Sequence, residues 1–285
     1  MKIQALTTVW GNDYIDRFLK ATAKSVAFPE NKKVMDNVVW NIFTDEIQFE
    51  RIDKFIAPLL PDTEIRYRDL GIIRDRIDYL HSGLIWQIKE CLKNKTKMLL
   101  LPPDSIFGDG TLPSLIKLGK EEKSCVVVPH PRALPEVLHE TYKTNASLVK
   151  ASWKHLHRSW SDAEANSDRQ NSFIGGVSWE KLDEKTFSVK HLLPTPYFCD
   201  FTEDDLTFFE TQSGIGCIDH VWPSLLVQQN RMKYCGSSDA CFVVEITERD
   251  KNLPPVQRGA STDKFWRNHP HNLFNQQVAC IFRSE

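Results

Sequence analysis

The sequence predicts an α/β protein, with a mainly parallel sheet that helices cover on both faces and a more β-rich C-terminal half. Up to residue 130, short apolar segments alternate with segments of helical periodicity, the order expected when helices join parallel strands. Several of the short segments are apolar throughout, as strands buried on both faces are. With 41% apolar and 26% charged residues, the 285-residue chain can also bury a sizeable core.

The predicted strands of the N-terminal half follow one another closely. They are expected at residues 3–9, 38–43, 63–70, 97–101 and 125–128. The strand at 63–70 is the most polar, which favours a position near the sheet edge. The strand at 97–101 must end at Pro102 and Pro103, because proline has no N–H to donate to a sheet ladder.

Helices are expected between these strands. The clearest has an apolar stripe at steps of three and four residues, formed by Ile73, Ile77, Leu80, Leu84, Ile88 and Cys91. Another covers 14–26 and is broken at Pro29. After helical periodicity at 134–156 comes the polar stretch 159–172, and later strands are expected near 173–179, 187–192 and 241–246. We therefore divide the chain into two halves, continuous with each other, at residues 1–158 and 159–285.

Composition excludes several classes of protein. Lys and Arg total 36 against 38 Asp and Glu, so a nucleic-acid contact would need a local basic patch. No apolar run approaches the roughly 20 residues of a membrane span, and the first residues lack the apolar region of a signal peptide. Seven cysteines without a Cys-x-x-Cys pair indicate reduced thiols. We expect a cytoplasmic protein without a membrane span.

Candidate ligand-binding residues follow the predicted strands, because open parallel sheets bind ligands beyond the carboxyl ends of their strands. These ends carry Trp10-Gly11, Thr44-Asp45, Asp104-Ser105 and His130-Pro131-Arg132. A carboxylate at the position of Asp104 could hold Mg²⁺ or Mn²⁺, which would offset the charge of a diphosphate. It could equally cap the turn that follows the two prolines.

The segment around Asp104 resembles the GT-A type glycosyltransferases, whose nucleotide-binding α/β half carries an Asp-x-Asp signature after a central strand. The matching stretch is Pro103-Asp104-Ser105-Ile106-Phe107-Gly108-Asp109-Gly110. With Thr8-Val9-Trp10-Gly11 and Ile218-Asp219-His220, it also resembles a bacterial and phage group of glycosyltransferase-like proteins. Pro102 stands where the first Asp of the signature would be, so only Asp104 corresponds to the metal-contacting acid.

The resemblance implies an enzyme that moves a sugar from a nucleotide-sugar donor to a hydroxyl acceptor. Residues 1–158 would bind the donor and residues 159–285 the acceptor, which could be a saccharide, a lipid-linked saccharide or modified nucleic acid. Trp10 and Thr44-Asp45 would lie beside the base and ribose, and Asp104 near the diphosphate. The predicted donor-binding residues are Trp10, Gly11, Thr44, Asp45, Arg74, Asp104, Ser105, Asp109 and Arg132.

Arginine and histidine could complete the phosphate and metal contacts. Arg74 begins the long helix, where its guanidinium could pair with phosphate or simply face solvent. By the resemblance, His269 and His271 would join Asp104 in holding Mn²⁺ or Mg²⁺, since two imidazoles two residues apart point the same way in an extended segment. A surface loop with incidental histidines explains the same pair.

Asp219 and His220 form the candidate catalytic pair. An acid beside an imidazole could act as general base on an acceptor hydroxyl, which inverting sugar transfer needs and retaining transfer does not. Two other functions remain open. A nucleotidyltransferase would use a similar α/β half, but the N-terminal region lacks a glycine-rich loop. A non-catalytic nucleotide- or carbohydrate-binding protein would be consistent with Pro102.

Overall fold

The computed structural model describes residues 2–69, 71, 76–164, 177–191, 195–211, 222–250 and 279–285. Two compact units make up the chain, each from two stretches: Met1–Val126 with Pro196–Lys233, and Val127–Thr195 with Tyr234–Glu285. These units differ in their bounds from the donor and acceptor halves expected at 1–158 and 159–285. That assignment of roles stays a prediction.

The strands are, in chain order, β1 (Ile3–Thr8), β2 (Val38–Phe43), β3 (Glu64–Arg68), β4 (Lys97–Leu100), β5 (Ser105–Phe107), β6 (Cys125–Val128), β7 (Arg132–Ala133), β8 (Val177–Lys181), β9 (Thr186–His191), β10 (Thr195–Cys199), β11 (Met232–Tyr234), β12 (Val243–Ile246) and β13 (Cys280–Arg283). The helices are α1 (Asn12–Phe18), α2 (Lys24–Val26), α3 (Pro29–Met35), α4 (Phe49–Ile56), α5 (Arg76–Asn94), α6 (Thr111–Leu118), α7 (Asn145–Lys154), α8 (Arg158–Ser161), α9 (Glu203–Thr211) and α10 (Trp222–Gln228). A π-helical turn at Leu19–Ala23 joins α1 to α2, and 3₁₀ turns occur at Glu46–Gln48 and Pro135–His139.

The first unit is built around a seven-stranded sheet in the order β11-β6-β10-β4-β1-β2-β3. Strand β1 pairs in parallel with β2 and with β4, and β2 pairs in parallel with β3, whereas β10 runs antiparallel to β4. The polar strand β3 lies at the sheet edge, as its composition predicts.

Helices cover both faces of this sheet. On one face the Phe18 ring of α1 packs edge-on against Trp40 of β2, with 5.7 Å between ring centroids. On the other, Gln87 of α5 donates at 2.9 Å to the side-chain oxygen of Gln4 in β1, and Leu84 and Ile88 of α5 join the apolar core. The predicted fold class, a mainly parallel sheet between helices, is confirmed.

Near two of the predicted helices the structure contains an additional element. The chain does break before Pro29, but Pro29 then begins α3, because a proline at the first helical position loses no hydrogen bond. The helical pattern at 134–156 resolves into a 3₁₀ turn and the separate helix α7. Thr144 begins α7 by accepting the N–H of Ser147 at 3.1 Å.

The second unit is richer in strands. In it β8 and β13 both pair antiparallel with β9, and β12 pairs in parallel with β7. Trp153 of α7 stacks on Phe187 of β9 with ring centroids 4.5 Å apart, and Trp160 and Trp179 are buried beside it. The predicted β-rich C-terminal portion is therefore confirmed. Across the described ranges, no helix has the length and apolar character needed to cross a bilayer.

Candidate functional site

The carboxyl ends of β1, β2, β3 and β4 lie at one edge of the sheet, because these four strands run in the same direction. Backbone hydrogen bonds continue the pairing of these strands for one residue beyond their ends. Val9 donates to the Phe43 carbonyl at 2.9 Å, Thr44 to the Arg68 carbonyl at 3.0 Å, and Leu101 to the Leu6 carbonyl at 2.9 Å. Trp10, Thr44 and the turn containing Asp104 therefore all follow strands that end at this edge.

Asp104 lies half-buried in the turn between β4 and β5. The hydroxyl of Thr7 holds the strand end by donating to the Leu101 carbonyl at 2.7 Å. Beyond it, the Thr22 hydroxyl lies 2.6 Å from the Pro102 carbonyl oxygen and 2.9 Å from the Ser105 carbonyl oxygen. The turn that presents Asp104 is thus fixed from both sides by side chains of the first unit.

Ser105 and Asp109, both predicted to bind donor, have structural partners. Ser105 is buried, and its N–H donates to the Thr22 hydroxyl at 3.2 Å. One carboxylate oxygen of Asp109 accepts the N–H groups of Glu30 and Asn31 at 2.8 and 3.3 Å, and so caps the start of α3. Donor binding by these two residues stays a prediction.

Trp10 and Gly11 connect β1 directly to α1. Gly11 has φ of +73°, a conformation that costs glycine little, and its carbonyl accepts the Ile15 N–H at 3.0 Å to start the helix. The half-buried Trp10 ring stacks on Tyr14, with centroids 6.3 Å apart and an angle of 19° between the rings. A flat indole at this edge could stack on a nucleobase or a sugar.

Thr44 and Asp45 follow β2. Thr44 is completely buried, and within the described residues its hydroxyl has no hydrogen-bond partner. Such a group costs free energy unless something else satisfies it. Donor binding by Thr44 stays a prediction. Asp45 is half-buried and precedes the 3₁₀ turn, where its carbonyl accepts the Gln48 N–H at 2.9 Å.

Arg68, at the end of β3, was not among the predicted site residues. Its guanidinium carbon is 4.4 Å from the centroid of the Trp86 ring, and its buried Nε likewise has no partner among the described residues. Stacking on the ring restricts the orientation of the guanidinium. The only signal in the sequence was a charged residue at the end of a polar strand.

Arg132 lies in the second unit, on β7, opposite Glu245 of β12. Its Nε donates to Glu245 Oε2 at 3.0 Å, and His130 Nε2 lies 3.5 Å from the same oxygen. Burial opposes ionisation of Glu245, but Arg132 and His130 outweigh it and hold the pKa of that carboxyl well below its usual value. The ionised acid orients the Arg132 guanidinium.

Arg74, Asp219, His220, His269 and His271 lie outside the described residues. Among the residues that are described, no three His, Cys, Asp or Glu side chains are grouped closely enough to hold a metal ion by themselves. Asp104 nevertheless suits Mg²⁺ or Mn²⁺, because Mg²⁺ in particular is often bound by one or two carboxylates together with substrate phosphates. A single carboxylate is therefore compatible with a metal ion that binds together with a diphosphate.

No known protein family and no curated protein sequence matches the chain. Among solved structures, the chain is similar to the mannosyltransferase PcManGT from Pyrobaculum calidifontis in complex with GDP-Man and Mn²⁺, at 10% identity and a TM-score of 0.47. It is similar to GalNAc-T7 with UDP, GalNAc and Mn²⁺ at 11% identity and a TM-score of 0.48. It is also similar to a UDP-glucose pyrophosphorylase complexed with UDP-glucose, at 13% identity and a TM-score of 0.39.

These alignments differ in the share of each solved protein that they cover. The alignment with PcManGT covers 88% of this chain and 58% of that protein. The alignment with GalNAc-T7 covers 93% of this chain and 48% of that protein. The alignment with the UDP-glucose pyrophosphorylase covers 87% of this chain and 91% of that protein. The chain thus spans about half the length of the two glycosyltransferases.

Proposed function

We propose that this chain is a glycosyltransferase, which moves a sugar from a nucleotide-sugar donor to a hydroxyl acceptor. The observation that carries the proposal is the position of Asp104. Its carboxylate follows a parallel strand at the edge where open parallel sheets usually bind ligands, and it is half-buried in a turn whose two ends the Thr22 hydroxyl bridges. The resemblance of the surrounding segment to GT-A enzymes supports the same assignment.

In this proposal the donor lies across the carboxyl ends of β1, β2 and β4. Trp10, Gly11, Thr44 and Asp45 would contact the base and ribose. Asp104 would hold Mn²⁺ or Mg²⁺ together with diphosphate oxygens, and His269 and His271 are further candidate ligands. The metal would offset the charge that develops on the departing diphosphate.

Sugar transfer breaks the bond between the anomeric carbon and the diphosphate oxygen and forms a bond from that carbon to the acceptor oxygen. Arg74 and Arg132 would pair with the phosphates of the departing nucleoside diphosphate. If the reaction inverts the anomeric centre, the Asp219-His220 pair would take the proton of the acceptor hydroxyl. Residues 159–285 would supply the acceptor side of the site.

A nucleotidyltransferase is the main alternative, since it would use a metal-bound carboxylate in a similar α/β half. The connection from β1 to α1 favours sugar transfer. Only residues 9–11 separate the two elements, and Gly11 is the single glycine there. A glycine-rich loop for a triphosphate would need a longer connection at this point.

The test is a thermal-shift screen followed by product analysis. Nucleoside diphosphates and nucleotide sugars are added to the protein with Mn²⁺ or with EDTA. A ligand at about 100 times its Kd should stabilise the fold by roughly 2.7 kcal/mol. Release of nucleoside diphosphate from a nucleotide sugar supports the proposal, whereas release of pyrophosphate from a nucleoside triphosphate and a sugar phosphate supports the alternative.

Two other results would contradict the proposal. Metal-dependent stabilisation without turnover of any nucleotide sugar would indicate a non-catalytic binding protein, as the proline at position 102 allows. A complete lack of stabilisation by nucleoside diphosphates would remove the nucleotide site altogether.

A further inference from the structure

We propose that Thr22 is a positioning residue, whose buried hydroxyl sets the Asp104 carboxylate where it can meet a metal-bound diphosphate. This inference rests on the proposed function and adds a residue that the resemblance did not supply. Thr22 contacts neither donor nor metal in this proposal. It acts through the backbone of the turn.

The hydroxyl of Thr22 connects the two ends of that turn. Its proton is shared between the carbonyl oxygens of Pro102 at 2.6 Å and Ser105 at 2.9 Å, and its oxygen accepts the Ser105 N–H at 3.2 Å. Pro103 and Asp104 are the two residues between these anchor points. One side chain therefore bridges the two ends of the turn.

The turn depends on such a side chain because of its composition. Neither Pro102 nor Pro103 has an N–H, so these residues cannot donate backbone hydrogen bonds to hold the segment. Thr22 is completely shielded from solvent, so bulk water does not reach its hydroxyl. Its removal would leave the two carbonyl groups without this donor.

Thr22 belongs to the π-helical turn between α1 and α2, and π-turns within helices often occur at functional sites. Residues after this π-helical turn also form hydrogen bonds with β5 and the residue that follows it. Ser25 Oγ accepts the Phe107 N–H at 3.0 Å and donates to the Thr22 carbonyl at 3.1 Å. Asn31 Nδ2 donates to the Gly108 carbonyl at 3.0 Å. The helical segment thus fixes β5 and the turn before it at successive points.

These hydrogen bonds resemble the outer shell of a metal site. In such a shell, a residue that does not contact the metal orients the residue that binds it. Loss of such a partner typically lowers metal affinity about 10- to 100-fold. Thr22→Val removes the hydroxyl at nearly constant volume, and Thr22→Ser restores it. Thr96→Val is the matched control, because Thr96 is buried at the opposite end of β4 and accepts a hydrogen bond from Gln4 at 3.0 Å.

Calorimetric titration measures the Kd of each variant for the nucleoside diphosphate that most stabilises the wild type among ADP, CDP, GDP, TDP and UDP. We expect Thr22→Val to raise the Kd in Mn²⁺ about 10- to 100-fold. The Kd in EDTA should not change, and Thr22→Ser and Thr96→Val should bind like the wild type in both conditions. If Thr22→Val does not fold, Thr22→Cys takes its place, because its thiol is a weak donor of similar size. Its Kd in Mn²⁺ should also rise, but by a smaller factor.

A second measurement needs no ligand. Hydrogen exchange of the Ser105 amide should be faster in Thr22→Val than in the wild type or in Thr96→Val, because that amide loses its acceptor. Wild-type affinity of Thr22→Val in Mn²⁺ would overturn the positioning role while the proposed function stands. A wild type that binds no nucleoside diphosphate would instead overturn the proposed function, whatever the exchange of Ser105 shows.

Discussion

The Nε atom of Arg132 lies 3.0 Å from Oε2 of Glu245, and the two residues face each other across the parallel strands β7 and β12. Thr247 donates its hydroxyl to the other carboxylate oxygen of Glu245 at 3.1 Å. An arginine predicted to contact phosphate therefore has a protein partner that fixes one side of its guanidinium. An arginine held in this way loses less side-chain entropy when it binds an anion.

The same pair predicts a pH dependence of stability. Although burial opposes ionisation, Arg132 and His130 lower the pKa of Glu245 below the value of about 4.3 expected in the unfolded chain. Ionised Glu245 therefore stabilises the fold above about pH 4, and this contribution is lost as the pH falls further, through the folded-state pKa.

Glu245→Gln should lower the free energy of unfolding by about 2 kcal/mol at neutral pH, and the difference from the wild type should shrink towards about pH 3. Denaturant titrations across this range provide the measurement. The exposed Glu184→Gln serves as control and should leave stability unchanged. Equal stability of Glu245→Gln and the wild type at neutral pH would show that the pair contributes nothing.

Asp205 and Arg231 form a more deeply buried pair in the first unit. Both carboxylate oxygens of Asp205 accept from Arg231, at 3.0 and 2.8 Å, and the Trp222 indole donates to one of them at 2.8 Å. Asp205→Asn leaves a buried guanidinium without its counter-charge, so the free energy of unfolding should fall by about 3–5 kcal/mol. Glu64→Gln, which breaks the exposed pair with Arg66, should cost no more than about 1 kcal/mol. Similar losses in the two variants would contradict this distinction.

Gly119, at the end of α6, has no room for a side chain. A Cβ atom there would lie 2.1 Å from Cδ1 of Phe198 in β10, and both groups belong to the first unit. Gly119→Ala should therefore lower the free energy of unfolding by about 1–3 kcal/mol. Gly236→Ala is the matched control, because its Cβ would meet nothing within 4 Å. A neutral Gly119→Ala would show that the Phe198 ring moves aside at little cost.

Thr44→Val separates a structural hydroxyl from a ligand-binding one. If the buried hydroxyl serves the donor, its removal should stabilise the ligand-free protein by about 1 kcal/mol, because valine has no polar group to leave unsatisfied. The same variant should bind its nucleoside diphosphate more weakly in calorimetric titration. Loss of stability with unchanged affinity would assign Thr44 to the fold instead.

The sequence predicted the features that depend on local pattern. Alternating apolar segments and helical stripes indicated the parallel sheet, and Pro102 and Pro103 correctly ended β4. These signals are short-range, because burial periodicity and the missing proline N–H act within a few residues. The position of the turn with Asp104 therefore follows from the amino-acid sequence alone.

The support of that turn could not be predicted, because its partners lie about 80 residues away along the chain. Thr22 lies within the helix predicted at 14–26, and nothing in the sequence linked its hydroxyl to Pro102. Asp109 fitted a ligand-binding motif, yet it accepts backbone N–H groups at the start of α3. Arg68 stacks on Trp86, and this contact between separate elements leaves no signal in the sequence.

Turnover by Asp104→Asn tests the central claim most directly. The substitution keeps the size of the side chain and removes its charge, and the release of nucleoside diphosphate from the nucleotide sugar used by the wild type is measured in Mn²⁺. We expect turnover to fall about 10²-fold, with an unchanged melting temperature and with wild-type turnover in the exposed control Asp62→Asn. Near-normal turnover by a folded Asp104→Asn protein would contradict the assignment of this carboxylate to the diphosphate site.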